Sequence, residues 1–335
     1  MSNINELISK SNISNLKILK LKKYTEIECL FLLKINPLDS NILIEILDFK
    51  NNKIKHILLD KKISNIRDFH PIDLEYLYLN ADYNGDSDCH LKINLNGQII
   101  FHKKFDTEIY ALNYKVILKN FLFREDMKLL NLEDFQEYNL YNFISDNFDD
   151  DFNFTYLYFS EDRYEIFSLP EDNILGFEIY DKDGDEPRFY FIILKIISQT
   201  EINTIFSGKI EDCGHNYSLS KNIKEIAYRS SYFSSDILKI REISKEKFGN
   251  FEQLDIEKNF ENKFGNFIEE IIYFDEEKIM LLYPTDREIY DRIKIYYRKN
   301  SKLIDTISID RGTLYQVMDE KMFFIKDSKI NYLEI

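Results

Sequence analysis

The 335-residue chain is 44% hydrophobic and 15% aromatic, enough apolar material for a large core, which excludes global disorder. Nine glycines and five prolines exclude collagen-like and low-complexity classes and leave few places for phosphate-cradling glycine loops. Forty-four Lys and Arg against 59 Asp and Glu give a net charge of -15, so direct nucleic-acid binding and attraction to anionic lipid are not expected.

Three widely separated cysteines, Cys29, Cys89 and Cys213, make no disulfide framework and fit a reducing, cytoplasmic compartment. The N-terminus lacks a signal-peptide pattern, and no apolar run reaches the roughly 18 residues of a membrane span.

In chain order, residues 1–112 read as a β-rich N-terminal part, strand after short strand bounded by Asn, Asp, Gly or Pro. Asn51-Asn52 and Asn96-Gly97 punctuate paired runs, and Asn-Gly supplies the positive φ of a tight hairpin. Residues 113–152 read as a helical insertion or linker, because Leu132 to Phe148 carries apolar residues near helical spacing. An acidic β segment follows at 153–210. The spacing of Ile223, Ile226 and Ala227, then of Ile237, Ile240 and Ile243, predicts two amphipathic helices within a helical segment at 211–270. There Lys247-Phe248-Gly249-Asn250-Phe251 recurs as Lys263 to Phe267, and each glycine is read as ending a helix.

Residues 271–335 form a β-rich C-terminal part with strands every 8 to 12 residues, a spacing that disfavours parallel α/β. The fold class expected is mainly β with helical insertions, as a propeller-like or tandem β-sandwich architecture. Aromatic strands beginning near Glu26, Glu75, Thr155, Glu270 and Thr313 fall at several blade-length gaps, and in a propeller the last strand is expected to pair with the first.

Charge is not evenly spread. Residues 131–190 hold 17 acidic against three basic residues, a net charge of -14 that leaves about -1 for the remainder. Asp146, Asp149, Asp150, Asp151, Glu161, Asp162 and Glu165 are the expected partner-binding residues, an acidic surface for a basic protein partner whose complementary field speeds association. No nucleotide-binding or hydrolase fingerprint is present. The expected function is therefore a non-enzymatic binding or assembly component, inhibitor-like or scaffold. A structural subunit of a larger particle is an alternative.

Asp82, Asn84, Asp86 and Asp88 alternate around Gly85 and place oxygens at every second residue, as a compact Ca2+ loop requires. The stretch Asp82 to Asp88 resembles the calcium loop of FG-GAP propeller repeats, departing from it at Ser87 and His90. The resemblance implies possible Ca2+ as a ligand, and the same carboxylates carry the alternative reading of a metal-dependent hydrolase or nuclease. Cys89-His90, His102 and Cys213-Gly214-His215 hold zinc-type donors, but adjacent Cys89 and His90 point to opposite faces of a strand. Arg292, Lys294, Arg298 and Lys299, interleaved with Tyr296 and Tyr297, are the one aromatic-plus-cation patch.

Overall fold

A computed structural model describes residues 2–13, 16–24, 28–73, 75–104, 114–124, 127–147, 164–169, 172–181, 188–198, 201–210, 214–230, 237–243, 248–254, 270–273, 277–283, 290–297, 302–310, 313–318 and 321–334. Helix α1 (Ser2–Asn12) precedes a first antiparallel meander, β1 (Lys17–Tyr24), β2 (Cys29–Ile35), β3 (Ile42–Asp48) and β4 (Lys53–Leu58). The second comprises β5 (Ile63–Pro71), β6 (Tyr76–Tyr83), β7 (Asp86–Asn94) and β8 (Ile99–Lys104). The third comprises β9 (Tyr114–Ile117), β10 (Phe121–Arg124), β11 (Lys128–Asn131) and β12 (Glu137–Asn139), followed by helix α2 (Leu140–Asn147). Next come β13 (Tyr164–Leu169), β14 (Ile174–Asp181), β15 (Arg188–Ile196) and β16 (Ile202–Ile210), then β17 (Gly214–Leu219), β18 (Glu225–Ser230), β19 (Ile237–Ile243) and β20 (Phe248–Leu254). The sixth sheet is β21 (Glu270–Tyr273), β22 (Lys278–Tyr283), β23 (Tyr290–Tyr297) and β24 (Lys302–Asp310), and the seventh is β25 (Tyr315–Met318), β26 (Lys321–Lys326) and β27 (Lys329–Glu334). Seven successive meanders of three or four strands are the blades of a seven-bladed β-propeller fold.

The chain divides into two compact units, residues 1–112 with 312–335, and residues 113–311. In the first, Phe31, Leu33 and Ile44 of one sheet pack with Phe69, Leu77 and Leu91 of the next. A second cluster joins Leu7 and Ile8 of α1 to Leu30, Leu32 and Phe49 of the first sheet and to Phe323 and Ile330 of the last. Three turns are built as their sequences demand. Asn52 takes φ 51°, Gly97 takes φ 80°, and Asn84-Gly85 closes a two-residue hairpin with positive φ at both positions.

A buried polar network fixes α1 to this unit. The Lys34 ammonium, 1% exposed, donates to Glu45 Oε1 at 2.6 Å and to the Ser11 carbonyl and hydroxyl oxygens at 3.0 and 2.9 Å. Ser11 Oγ in turn donates to Glu45 Oε1, and His56 Nε2 lies 2.9 Å from Glu45 Oε2. One residue further on, Asn12 Nδ2 donates to the Ile330 carbonyl at 2.8 Å while the Ile330 amide donates to Asn12 Oδ1 at 2.9 Å. A carboxamide offers the same donor and acceptor as a peptide unit, so Asn12 stands where a neighbouring strand would bond β27. Asn12→Ala leaves both Ile330 groups unsatisfied. The expected cost is about 1–3 kcal/mol, together with faster hydrogen exchange at the Ile330 amide than in the parent protein.

In the second unit three apolar layers each lie between consecutive sheets. One holds Phe123, Leu129, Phe177 and Leu194 with Leu140 and Ile144 of α2, one holds Phe167, Phe191, Ile193 and Ile226, and one holds Leu238, Ile240, Ile279 and Tyr296.

Three sequence expectations need correction. The helical segment at 211–270 is strand and turn wherever it is described, with no helix, because Ile226, Ala227 and Tyr228 are buried consecutively and Leu238 and Ile240 at period two. A sheet covered on both faces produces such unbroken apolar runs, and the three-residue isoleucine spacing was coincidental. Gly249 accordingly lies within β20 and ends no helix, while Gly265 is outside the described residues. The insertion at 113–152 is mostly the third sheet, and only α2 realises the expected helix. The final strand does not pair with the first: β27 pairs with β26, β1 pairs with β2, and α1 makes the junction.

Candidate functional site

The second unit carries the acid. Residues 131–190 fall entirely within it, whereas the first unit has 18 basic and 19 acidic residues. Some of these acids support the fold. Asp134 Oδ1 accepts the Gln136 amide at 3.0 Å in the turn between β11 and β12, and Glu137 lies 3.9 Å from the Lys128 ammonium.

Two of the predicted partner-binding acids lie in described elements. Asp146 falls in the last turn of α2, which holds no basic residue. Glu165 on β13 is the register partner of Glu178 on β14, and Glu178 is only 5% exposed. Asp149, Asp150, Asp151, Glu161 and Asp162 lie outside the described residues.

Asp82, Asn84, Asp86 and Asp88 are brought together around the Asn84-Gly85 hairpin, where their carboxylates meet cations of the protein itself. Arg67 Nη1 lies 2.8 Å from Asp82 Oδ1 and its Nε lies 3.1 Å from Asp88 Oδ1, while Lys104 Nζ lies 2.7 Å from Asp86. The hydrogen bond from Asn65 Nδ2, 2.6 Å from Asp82 Oδ2, holds the Asp82 carboxyl below the usual carboxylate range, helped by Arg67 and opposed by desolvation. Arg67 could not have been assigned to this cluster from spacing, since a bulge in β5 between Ser64 and Asp68 aims it there. Among the described residues no group of three or more His, Cys, Asp and Glu side chains is arranged around a common metal position.

The zinc-type donors separate as expected from strand alternation. Cys89 joins the apolar layer with Leu91, while the Nδ1 of His90 lies 2.7 Å from the Tyr78 hydroxyl. Cys213 is outside the described residues. Of the aromatic-plus-cation patch, Tyr296 is buried, Tyr297 is exposed and Lys294 lies over the Tyr283 ring at 5.1 Å, while Arg298 and Lys299 are outside the described residues.

Burial pushes the Cys29 thiol up from 9.0 to about 12, with smaller contributions from Asp48 and Glu28. The folded thiol stays protonated where the unfolded one ionises, so its contribution is complete below pH 9 and declines as pH rises toward 12. Native protein at pH 8 is therefore expected to leave Cys29 unlabelled by a thiol-disulfide reagent over the time in which urea-unfolded protein reacts fully.

No protein-family model matches the chain, and no curated protein does. Solved structures do resemble it. A prolyl endopeptidase structure aligns with TM-score 0.54 at 8% identity, covering 99% of this chain and 49% of that one, so this chain spans about half its length. The propeller is what they share. The β-propeller domain of the Trilobed protease from Pyrococcus furiosus aligns at TM-score 0.46 and 10% identity over 95% of both chains. An oligogalacturonate lyase from Vibrio parahaemolyticus aligns at 0.49 and 10% over 96% of this chain and 84% of that one. Identities this low extend to the fold and to no activity. Among the described residues no helix is long and apolar enough to cross a membrane.

Proposed function

We propose that this protein is a non-enzymatic binding or assembly component that docks a basic protein partner through residues 131–190. The observation that carries the reading is the concentration of charge: 60 residues supply -14 of a total of -15. Such a field acts mainly on encounter rate and orientation, and salt screens it over about 10 Å at 0.1 M.

The test uses a defined arginine- and lysine-rich peptide and calorimetric titration. Replacing Asp146, Asp149, Asp150 and Asp151 together by Asn is expected to weaken binding about tenfold at low salt and to flatten its salt dependence. Binding that survives unchanged in this variant overturns the assignment.

A further inference from the structure

The sequence contains two Asn-Gly pairs, Asn84-Gly85 and Asn96-Gly97. A backbone amide that follows asparagine can attack the side-chain carboxamide carbon, and glycine hinders that approach least because it has no Cβ and turns freely through φ. The fold treats the two pairs differently.

Gly97 is held. Its amide donates to the Asn94 carbonyl at 2.9 Å, and Asn94 Oδ1 accepts the flanking amides of Asn96 and Gln98 at 2.9 and 3.0 Å. Gly97 is also buried, and a Cβ added to it would stand 2.2 Å from the Leu58 carbonyl oxygen, so the peptide between Asn96 and Gly97 has little room to swing.

The other pair is open. Asn84 and Gly85 form the turn between the paired residues Tyr83 and Asp86, and both are exposed. The Asn84 amide is anchored, donating to the Lys62 carbonyl at 3.1 Å. Among the described residues nothing bonds the Gly85 amide or the Asn84 carboxamide, and nothing stands within 4 Å of where a Cβ on Gly85 would lie. The peptide between them is therefore free to rotate while β6 and β7 stay paired.

We infer that Asn84 is a site of spontaneous deamidation, which turns the neutral tip of the β6–β7 hairpin into a carboxylate as the molecule ages. Solvent base takes the Gly85 amide proton, and the resulting nitrogen anion attacks Asn84 Cγ. The N–Cγ bond forms, the Cγ–Nδ2 bond breaks, and Nδ2 leaves as ammonia with a proton from water, closing a cyclic imide. A second water opens the imide at either carbonyl, leaving aspartate or β-linked isoaspartate, with no change in oxidation state. The new charge meets local cations that are already engaged, since Arg67 serves Asp82 and Asp88 while Lys104 serves Asp86. Isoaspartate also adds a methylene to the backbone of a two-residue turn, which disturbs the pairing of Tyr83 with Asp86.

The test incubates the full chain at pH 8, native and urea-unfolded, and follows residues 84 and 96 by peptide mass spectrometry. The spectra read the replacement of NH2 by OH, and methyl labelling with an isoaspartyl methyltransferase reads the β-linked product. In the native chain residue 84 is expected to convert about tenfold faster than residue 96, which must first break the Gly97 hydrogen bond, and the two rates are expected to converge in urea. Asn84→Ser is expected to abolish the acidic species that accumulate on ion exchange, and fresh Asn84→Asp to elute with them. Equal rates at the two residues in the native chain overturn the inference. So does a residue 84 that stays intact in the native chain while the unfolded chain converts, or aspartate there without isoaspartate.

Discussion

Lys34→Met is expected to lower the unfolding free energy by about 3–5 kcal/mol, the largest effect of any single substitution considered, measured by urea titration at pH 7. The methionine fills much of the same volume but leaves the Glu45 carboxylate, which is as deeply buried as the ammonium it pairs with, without its cation. His56 does not compensate, because its ring is 58% exposed and bonds the other carboxylate oxygen. The loss extends beyond the pair. Lys34 also holds the Ser11 carbonyl at the end of α1, so the helix is expected to lose hydrogen-exchange protection ahead of the sheets. Adding Glu45→Leu removes the stranded charge and is expected to recover most of the stability, since an apolar pair of similar volume serves as well as a buried ion pair. A double variant no more stable than Lys34→Met would show that hydrogen bonds to Ser11, and not the charge pair, dominate.

Gly176→Ala is expected to cost about 1–3 kcal/mol, seen as a lower melting temperature with weakened near-ultraviolet dichroism. Gly176 pairs with Phe167 across β14 and β13, and the phenyl ring lies flat over the glycine. A Cβ there would stand 1.9 to 2.7 Å from three ring carbons, which no rotamer adjustment of alanine relieves. Nor is the ring free to swing aside. It stacks on Phe191 at 4.9 Å between centroids and meets Tyr217 at 5.3 Å. Shortening the obstacle with Phe167→Leu in the alanine background is expected to restore part of the loss, because the two substitutions share one contact. If Gly176→Ala melts with the parent protein, the packing assigned to this layer is wrong.

Much of the architecture could be read from residue order alone, for a physical reason. Strands such as Ile42–Asp48, Lys321–Lys326 and Lys329–Glu334 are short, apolar and flanked by turn residues, and each pairs with its chain neighbour, so local signals coincide with the tertiary arrangement. Ile63–Pro71 went unread because its bulge breaks the alternation that marks a strand. Helix α1 carries Ile4, Leu7 and Ile8 at helical spacing and an i,i+4 pair of Glu6 with Lys10, but its 11 residues are a short helical signal ahead of a long run of strands. At the candidate sites, the acidic concentration is visible in composition, but the Glu165 and Glu178 pairing depends on register. The close approach of Gly97 to the Leu58 carbonyl, across 39 residues of chain, is likewise a proximity that no pattern of period two or 3.6 encodes.

The join between the last sheet and the first has an evolutionary corollary. A strand donated across such a boundary commits six or more consecutive residues to one ladder, so any drift there shifts the register of a whole blade. Here the polar part of the attachment rests on Asn12 and Ser11, two side chains of α1 that lie outside every ladder. Single-codon changes at those positions therefore provide graded adjustment of how firmly α1 holds the last sheet, with the twenty-seven described strands left in place.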